Sequence, residues 1–202
     1  MNARDIVLLQ HARLHSAAVG HPRDGSVADR FLGGLTDEQM RMRPAPHMNS
    51  VVWLLWHMAR AEDVFINIVI RRGIQILDDQ WMKRLRIGWR DIGTGMTESE
   101  VAALSEQIDL AVVTEYRNAV GESVRQFVAD LRPDDWTGNV DASDMQRAVD
   151  QGAFGPNAGW LETAFQGRSR AGVLSFLTVI HNAEHLGEAL TVRSLAGLGL
   201  PM

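Results

Sequence analysis

The chain contains no cysteine. That excludes disulfides, thiolate nucleophiles and cysteine-ligated zinc, and it fits a reducing, cytoplasmic setting. Any thiol that the chemistry needs must then come from a small molecule. Positive charge is not in excess: the formal net charge is −5, and nothing points to the basic stripe of a nucleic-acid binder. Long apolar runs are missing too. No stretch approaches the roughly 18 uncharged apolar residues of a membrane span. The opening M-N-A-R-D-I-V-L-L-Q-H-A-R holds no apolar run long enough for a signal peptide. There is no internal repeat, low-complexity tract, strand-like alternation, G-x-S-x-G elbow or P-loop. Gly93-Thr94-Gly95 is a lone G-x-G without the strand and helix that a dinucleotide site needs.

What is present is length and helical periodicity. The 202 residues, 46% hydrophobic and 22% charged, suit a single domain over residues 1–202 with a sizeable core. Residues 3–19 carry apolar positions at helical spacing (Ile6, Leu9, Ala12, Val19), closed by Gly20-His21-Pro22. Thr36 with Gln39 forms a capping box for a short helix, which Arg43-Pro44-Ala45-Pro46 ends. Asn49 or Ser50 caps a helix that runs to about Ile70, apolar enough to bury more than one face. Residues 73–96 read as a long connection. Thr97 with Glu100 caps a short helix, and a long one follows from Asp109 to Leu131, stopped by Pro133. Short helices are expected near 143–151 and 158–166, and a last long one from Ser169 to about Gly197. Four long helices and no strands predict an all-α four-helix bundle. The long connection between the second and third permits a crossover.

The chemistry-bearing residues are histidines. His181 and His185, four residues apart, project about 40° from one another on a helix and can meet one metal ion from one face. His57 lies on the second helix. Three protein ligands with an open position make a catalytic rather than a structural site. Each of these histidines also has a plain reading as a hydrogen-bonded core residue. A second pair at the same spacing, His11 and His15, lies on the first helix, with no third ligand evident. The stripe Leu174, Leu177, His181, His185, Glu188, Leu195 runs along the last helix. Glu188, one turn beyond the pair, suits a carboxylate that orients a ligand imidazole. His181-Asn-Ala-Glu184-His185 also matches H-x-x-E-H, the inverted zinc-peptidase pattern, with Glu184 as general base. However, Glu184 sits on the flank of the pair and little chain follows. Lys83, Arg84, Arg86 and Arg90, with Trp89 among them, read as a solvated basic loop rather than an anion site.

The segments W-L-L-W-H-M-A-R-A-E-D and H-N-A-E-H-L-G-E-A-L, with L-T-D-E-Q-M-R-M-R-P-A-P at 35–46 and D-I-G-T-G-M-T at 91–97, resemble the DinB/YfiT-like metalloenzyme superfamily over nearly the whole chain. The resemblance implies a bundle of up-down-down-up order. It also implies a divalent metal, zinc or nickel, held by His57, His181 and His185. Related branches include bacillithiol- and mycothiol-dependent transferases and isomerases. In the mycothiol-dependent isomerases the first residue of the C-terminal pair is glutamate, where this chain has His181. The expectation is a cytoplasmic metal-dependent enzyme acting on a small molecule, a thiol-dependent S-transferase or a hydrolase, with a low-molecular-weight thiol as co-substrate in the first case. Three imidazoles on zinc can bring a bound water's pKa to about 7. The alternative is a non-catalytic, stress-related binding protein on the same bundle. No nucleic acid or membrane partner is expected, and a homodimer is compatible with the sequence.

Overall fold

The computed structural model describes residues 2–23 and 25–199. They are helical, without a β-strand; Asn139 and Ser169 form an isolated bridge. The order is α1 (Ala3–Leu14), α2 (Ala17–Gly20), α3 (Val27–Leu32), α4 (Asp37–Arg41), α5 (Val51–Glu62), α6 (Asp79–Leu85), α7 (Glu98–Gln107), α8 (Leu110–Asp130), α9 (Ala142–Asp150), α10 (Trp160–Phe165), α11 (Arg170–Ser175) and α12 (His181–Leu195). The helix of α5 continues without a break as a π-helical stretch, Asp63–Ile70. A second such stretch, Phe176–Ile180, joins α11 to α12. A short 3-10 turn covers Pro133–Trp136.

Local chemistry explains the helix starts. Ser50 accepts the Trp53 N–H at 3.1 Å, Asp109 that of Val112 at 3.2 Å, and Ser169 that of Gly172 at 3.1 Å. Each satisfies one of the donors that a helix N-terminus leaves free. The capping boxes at Thr36/Gln39 and Thr97/Glu100 both form.

Every residue from Ser50 to Ile70 is buried. The helix of α5 is therefore covered all round, as its apolar density requires. It packs on α8 and α12, with α7 and α4 near its start and α9 against its π-helical end. Hydrogen bonds give the relative directions. Arg4 donates to the Ala129 carbonyl at 3.3 Å and Arg125 to that of Leu8 at 2.8 Å, so α1 and α8 run oppositely. Arg60 reaches the Tyr116 hydroxyl and Asn67 meets Ser123, so α5 and α8 run the same way. Asn49 bonds Glu188 and Arg170 bonds the Ile70 carbonyl, so α5 and the final helix run oppositely.

Several sequence expectations need correcting. The first helix is not continuous over 3–19. It breaks at His15-Ser16, where the Ser16 N–H turns to the His15 ring instead of a helical carbonyl (2.9 Å). The 73–96 connection contains α6, capped by Asp78, whose side chain accepts the Trp81 N–H at 2.8 Å. Helix α3, capped by Ser26, was not anticipated. Leu195 lies at the end of the last helix's stripe but is 62% exposed, beyond the reach of the core.

Candidate metal centre

His57 sits mid-way along α5, on a face that packs against α12. Its ring stacks on Trp53, one turn earlier, with centroids 4.8 Å apart and planes 13° from parallel. The π-helical stretch before His181 widens the last turn, and His181 and His185 then follow at one-turn spacing. The two elements bring the three rings together: centroids lie 5.0 Å (57–181), 4.8 Å (57–185) and 4.5 Å (181–185) apart. One ligand nitrogen from each lies within 4.8 Å of the others.

The outer nitrogens of His57 and His185 are held from behind, whereas His181 Nδ1 is buried with no partner among the described residues. His57 Nδ1 lies 2.5 Å from the Ile92 carbonyl oxygen. A carbonyl only accepts, so the ring donates there and its neutral form presents a bare Nε2 to the centre. His185 Nδ1 donates to Glu188 at 2.9 Å, and Asn49 donates to the other oxygen of that carboxylate at 2.9 Å. Backing of this kind orients metal-ligating imidazoles. His57 Nε2 lies 3.2 Å from His181 Nε2. Adjacent corners of a tetrahedron with metal–nitrogen bonds of about 2.0–2.1 Å are about 3.3–3.4 Å apart. This pair therefore already stands at the spacing of two ligands. The donor set of neutral imidazoles suits zinc, nickel, copper or iron.

The electrostatics keep His57 and His181 neutral. Burial, with His185 close by, lowers His57 to about 4. Burial and the neighbouring His57 and His185 lower His181 to about 2. Burial alone pushes the Glu188 carboxyl up, but hydrogen bonds from His185 and Asn49 outweigh it, and the group falls below the usual carboxylate range.

The Ile92 carbonyl is delivered by the connection before α7. Gly93 there adopts φ +82°, and a Cβ on it would stand 2.5 Å from the Trp56 ring. Only glycine lets this backbone lie so close to α5. Arg60, fully buried, clamps the same segment: its guanidinium donates to the Arg90 carbonyl at 2.6 Å, to Gln75 at 2.7 Å, to Tyr116 at 2.9 Å and to Asp63 at 3.0 Å. Asp63 in turn accepts the N–H groups of Ile76 and Leu77 at 2.7 and 3.0 Å. Sequence reasoning missed both devices. A buried Arg60 three residues from Asp63, amid apolar neighbours, was the available signal for one; a carbonyl has no signature.

Glu184 is exposed, off the face that carries the histidines. Arg84, Arg86 and Arg90 pair with Glu115, Asp109 and Asp79, so three of the basic-loop charges are matched by acids.

His11 and His15 have a neighbour that the sequence did not reveal. Glu62 of α5 brings a carboxylate oxygen to 3.3 Å from His11 Nε2, and the three side chains form a second buried group. Its bonding is that of a polar network. His15 Nδ1 accepts the Ser16 N–H, which leaves the proton of the neutral ring on Nε2. Asn182 donates to Glu62 and, at 2.9 Å, to the Leu177 carbonyl. Arg117 donates to the Leu14 carbonyl at 3.1 Å. Burial and that guanidinium push His15 well below the ordinary histidine range.

Beside the first centre lies a cavity of about 250 Å³ with His57 and His181 on its wall. Four aromatic rings share the rest with aliphatic side chains: Phe65 and Phe165 stand 4.3 Å apart by centroids, and Phe176 lies 6.0 Å from His181.

The comparisons with known proteins agree with this architecture. A crystal structure described as the conserved protein of locus from Enterococcus faecalis matches with a TM-score of 0.68 at 18% identity, covering 96% of this chain and 97% of that one. At that identity the likeness speaks for the fold. No curated protein matches the chain. The family model of the DinB superfamily matches residues 23–189, most of the chain, and the protein belongs to that superfamily.

Proposed function

We propose that the chain is a divalent-metal-dependent enzyme acting on a small molecule, with the ion held by His57, His181 and His185. The observation that carries this reading is the 3.2 Å approach of His57 Nε2 to His181 Nε2 with His185 at hand. Two of the rings are fixed through Nδ1 by Ile92 and Glu188. Three imidazoles, two buried and one half-buried, with no acid among them have little structural reason to meet, since an unpaired buried polar group costs about 1–3 kcal/mol. A bound divalent ion supplies Lewis acidity at an open position, the chemistry that activates a water or a thiol.

The chain's own groups prepare that position. Ile92 holds the His57 proton away from the centre, Glu188 does the same for His185, and Trp53 closes one face of His57 to water. Low proton affinity keeps His57 and His181 ready to bind at neutral pH. The directional pairings of α1, α5, α8 and the final helix support an up-down-down-up four-helix bundle. Zinc or nickel fits the donors. The absence of cysteine supports a cytoplasmic setting and makes an S-transferase dependent on a free low-molecular-weight thiol; hydrolysis needs only water.

The test is a screen of low-molecular-weight thiols with electrophiles, and of esters and amides, run on metal-loaded and metal-stripped protein. Turnover that requires both metal and His57 supports the reading. Stoichiometric metal without turnover in either arm favours the non-catalytic binding protein.

A further inference from the structure

The cavity beside the metal centre has a definite chemical character. Its wall runs from the rings of His57 and His181 through Phe176, Phe165 and Phe65. Phe65 and Phe165 are buried, so this part of the wall is apolar and preformed. Its volume, about 250 Å³, exceeds the roughly 150 Å³ of an apolar cavity that binds benzene. A six-membered ring fits with a short substituent to spare. Trp160, at 58% exposure, lines the same cavity from α10.

Two polar side chains interrupt the lining, Thr94 and Arg168. The Arg168 guanidinium carbon lies 5.0 Å from the centre of the Phe165 ring, so the cation is laid along the aromatic wall. Its side chain is exposed and, among the described residues, makes no ion pair. Among the described residues, no carboxylate lines the cavity.

Resting on the metal-centre reading above, we infer that the substrate is a small anionic molecule with a ring-sized apolar body. The body seats among Phe65, Phe165, Phe176 and Trp160. The anionic group meets Arg168, and the reacting atom faces the His57–His181 edge. A long peptide, a polycation or a sugar does not suit this cavity.

The test uses 3-phenylpropionate and its uncharged isostere 3-phenylpropanamide, titrated by calorimetry against zinc-loaded and metal-stripped protein. The carboxylate should bind about tenfold more tightly than the amide in both forms, because Arg168 rather than the ion selects the charge. Arg168→Gln should bring the carboxylate down to the amide's affinity. Ala164→Phe, which fills the cavity, should abolish binding of both with metal content retained. Equal affinities in the parent, a preference that vanishes on stripping, or an Arg168→Gln variant like the parent would each overturn the inference. Should Ala164→Phe not fold, the Arg168 comparison decides alone. Metal content is read on the same samples. Failure to bind zinc sinks the metal-centre reading, whereas zinc at full stoichiometry without probe binding sinks only the substrate class.

Discussion

The Nδ1 atom of His57 donates to the carbonyl oxygen of Ile92, a residue of the connection thirty-five positions further along the chain. The bond ties the chemistry of α5 to the path of a loop. It fixes which nitrogen of His57 is bare, and it holds only while that loop lies flat against Trp53 and Trp56.

Gly93→Ala should therefore act on both fold and site. The new Cβ would stand 2.5 Å from the Trp56 ring, at a φ of +82° that an alanine rarely adopts. Strain of this sort costs of order 1–3 kcal/mol. Urea unfolding should show that loss, and zinc titration of the folded variant should show weaker binding than the parent. Parent-like values of both would detach the loop from the centre.

Arg60→Met should be more severe. It leaves Asp63, fully buried, without its cation and removes the clamp on the Arg90 carbonyl. Breaking a buried pair from one side costs about 3–5 kcal/mol. A drop in the urea midpoint at constant slope reads it directly. Tyr116→Phe, which removes a hydroxyl that donates to Asp63 and accepts from Arg60, should cost about 1–3 kcal/mol.

The metal-stripped protein should lose stability in mild acid. His15, His57 and His181 all have folded-state proton affinities below the ordinary value, chiefly through burial, with His57 at about 4 and His181 at about 2. The unfolded chain binds protons at about 6.5, so it gains protons first as pH falls. Stability is then full above about 6.5 and declines as pH drops toward 4. Urea midpoints at pH 7.5, 5.5 and 4.5 should fall in that order. A flat series would show that the rings are not buried neutral.

Glu188→Gln should weaken zinc binding by roughly 10- to 100-fold without abolishing it, as expected for a group that orients a ligand. His11→Gln should instead lower stability, because it removes one of the two partners of buried Glu62, and leave zinc stoichiometry unchanged. Zinc lost from folded His11→Gln protein would move the centre to the other histidine pair.

Much of this was legible in the sequence because it is local. Ser50, Asp109 and Ser169 mark helix starts by the donors that they cap, and the Thr36/Gln39 and Thr97/Glu100 pairs are complete within four residues. The one-turn spacing of His181 and His185 is equally local. What was missed either leaves no marker in the sequence or depends on distant contacts. The break at His15-Ser16 follows from a ring nitrogen competing for a backbone N–H. The two π-helical stretches each add a residue to the turn without an identifiable marker in their apolar sequences. Glu62 and His11 lie fifty-one positions apart and meet only in the assembled bundle, and Ile92 contributes a backbone oxygen that any residue type carries.

The most direct measurement is anomalous difference density from crystals grown with zinc or nickel. The account predicts a single strong peak about 2.0–2.3 Å from one nitrogen each of His57, His181 and His185. No peak there with metal in excess, or a peak between His11, His15 and Glu62 instead, would contradict it.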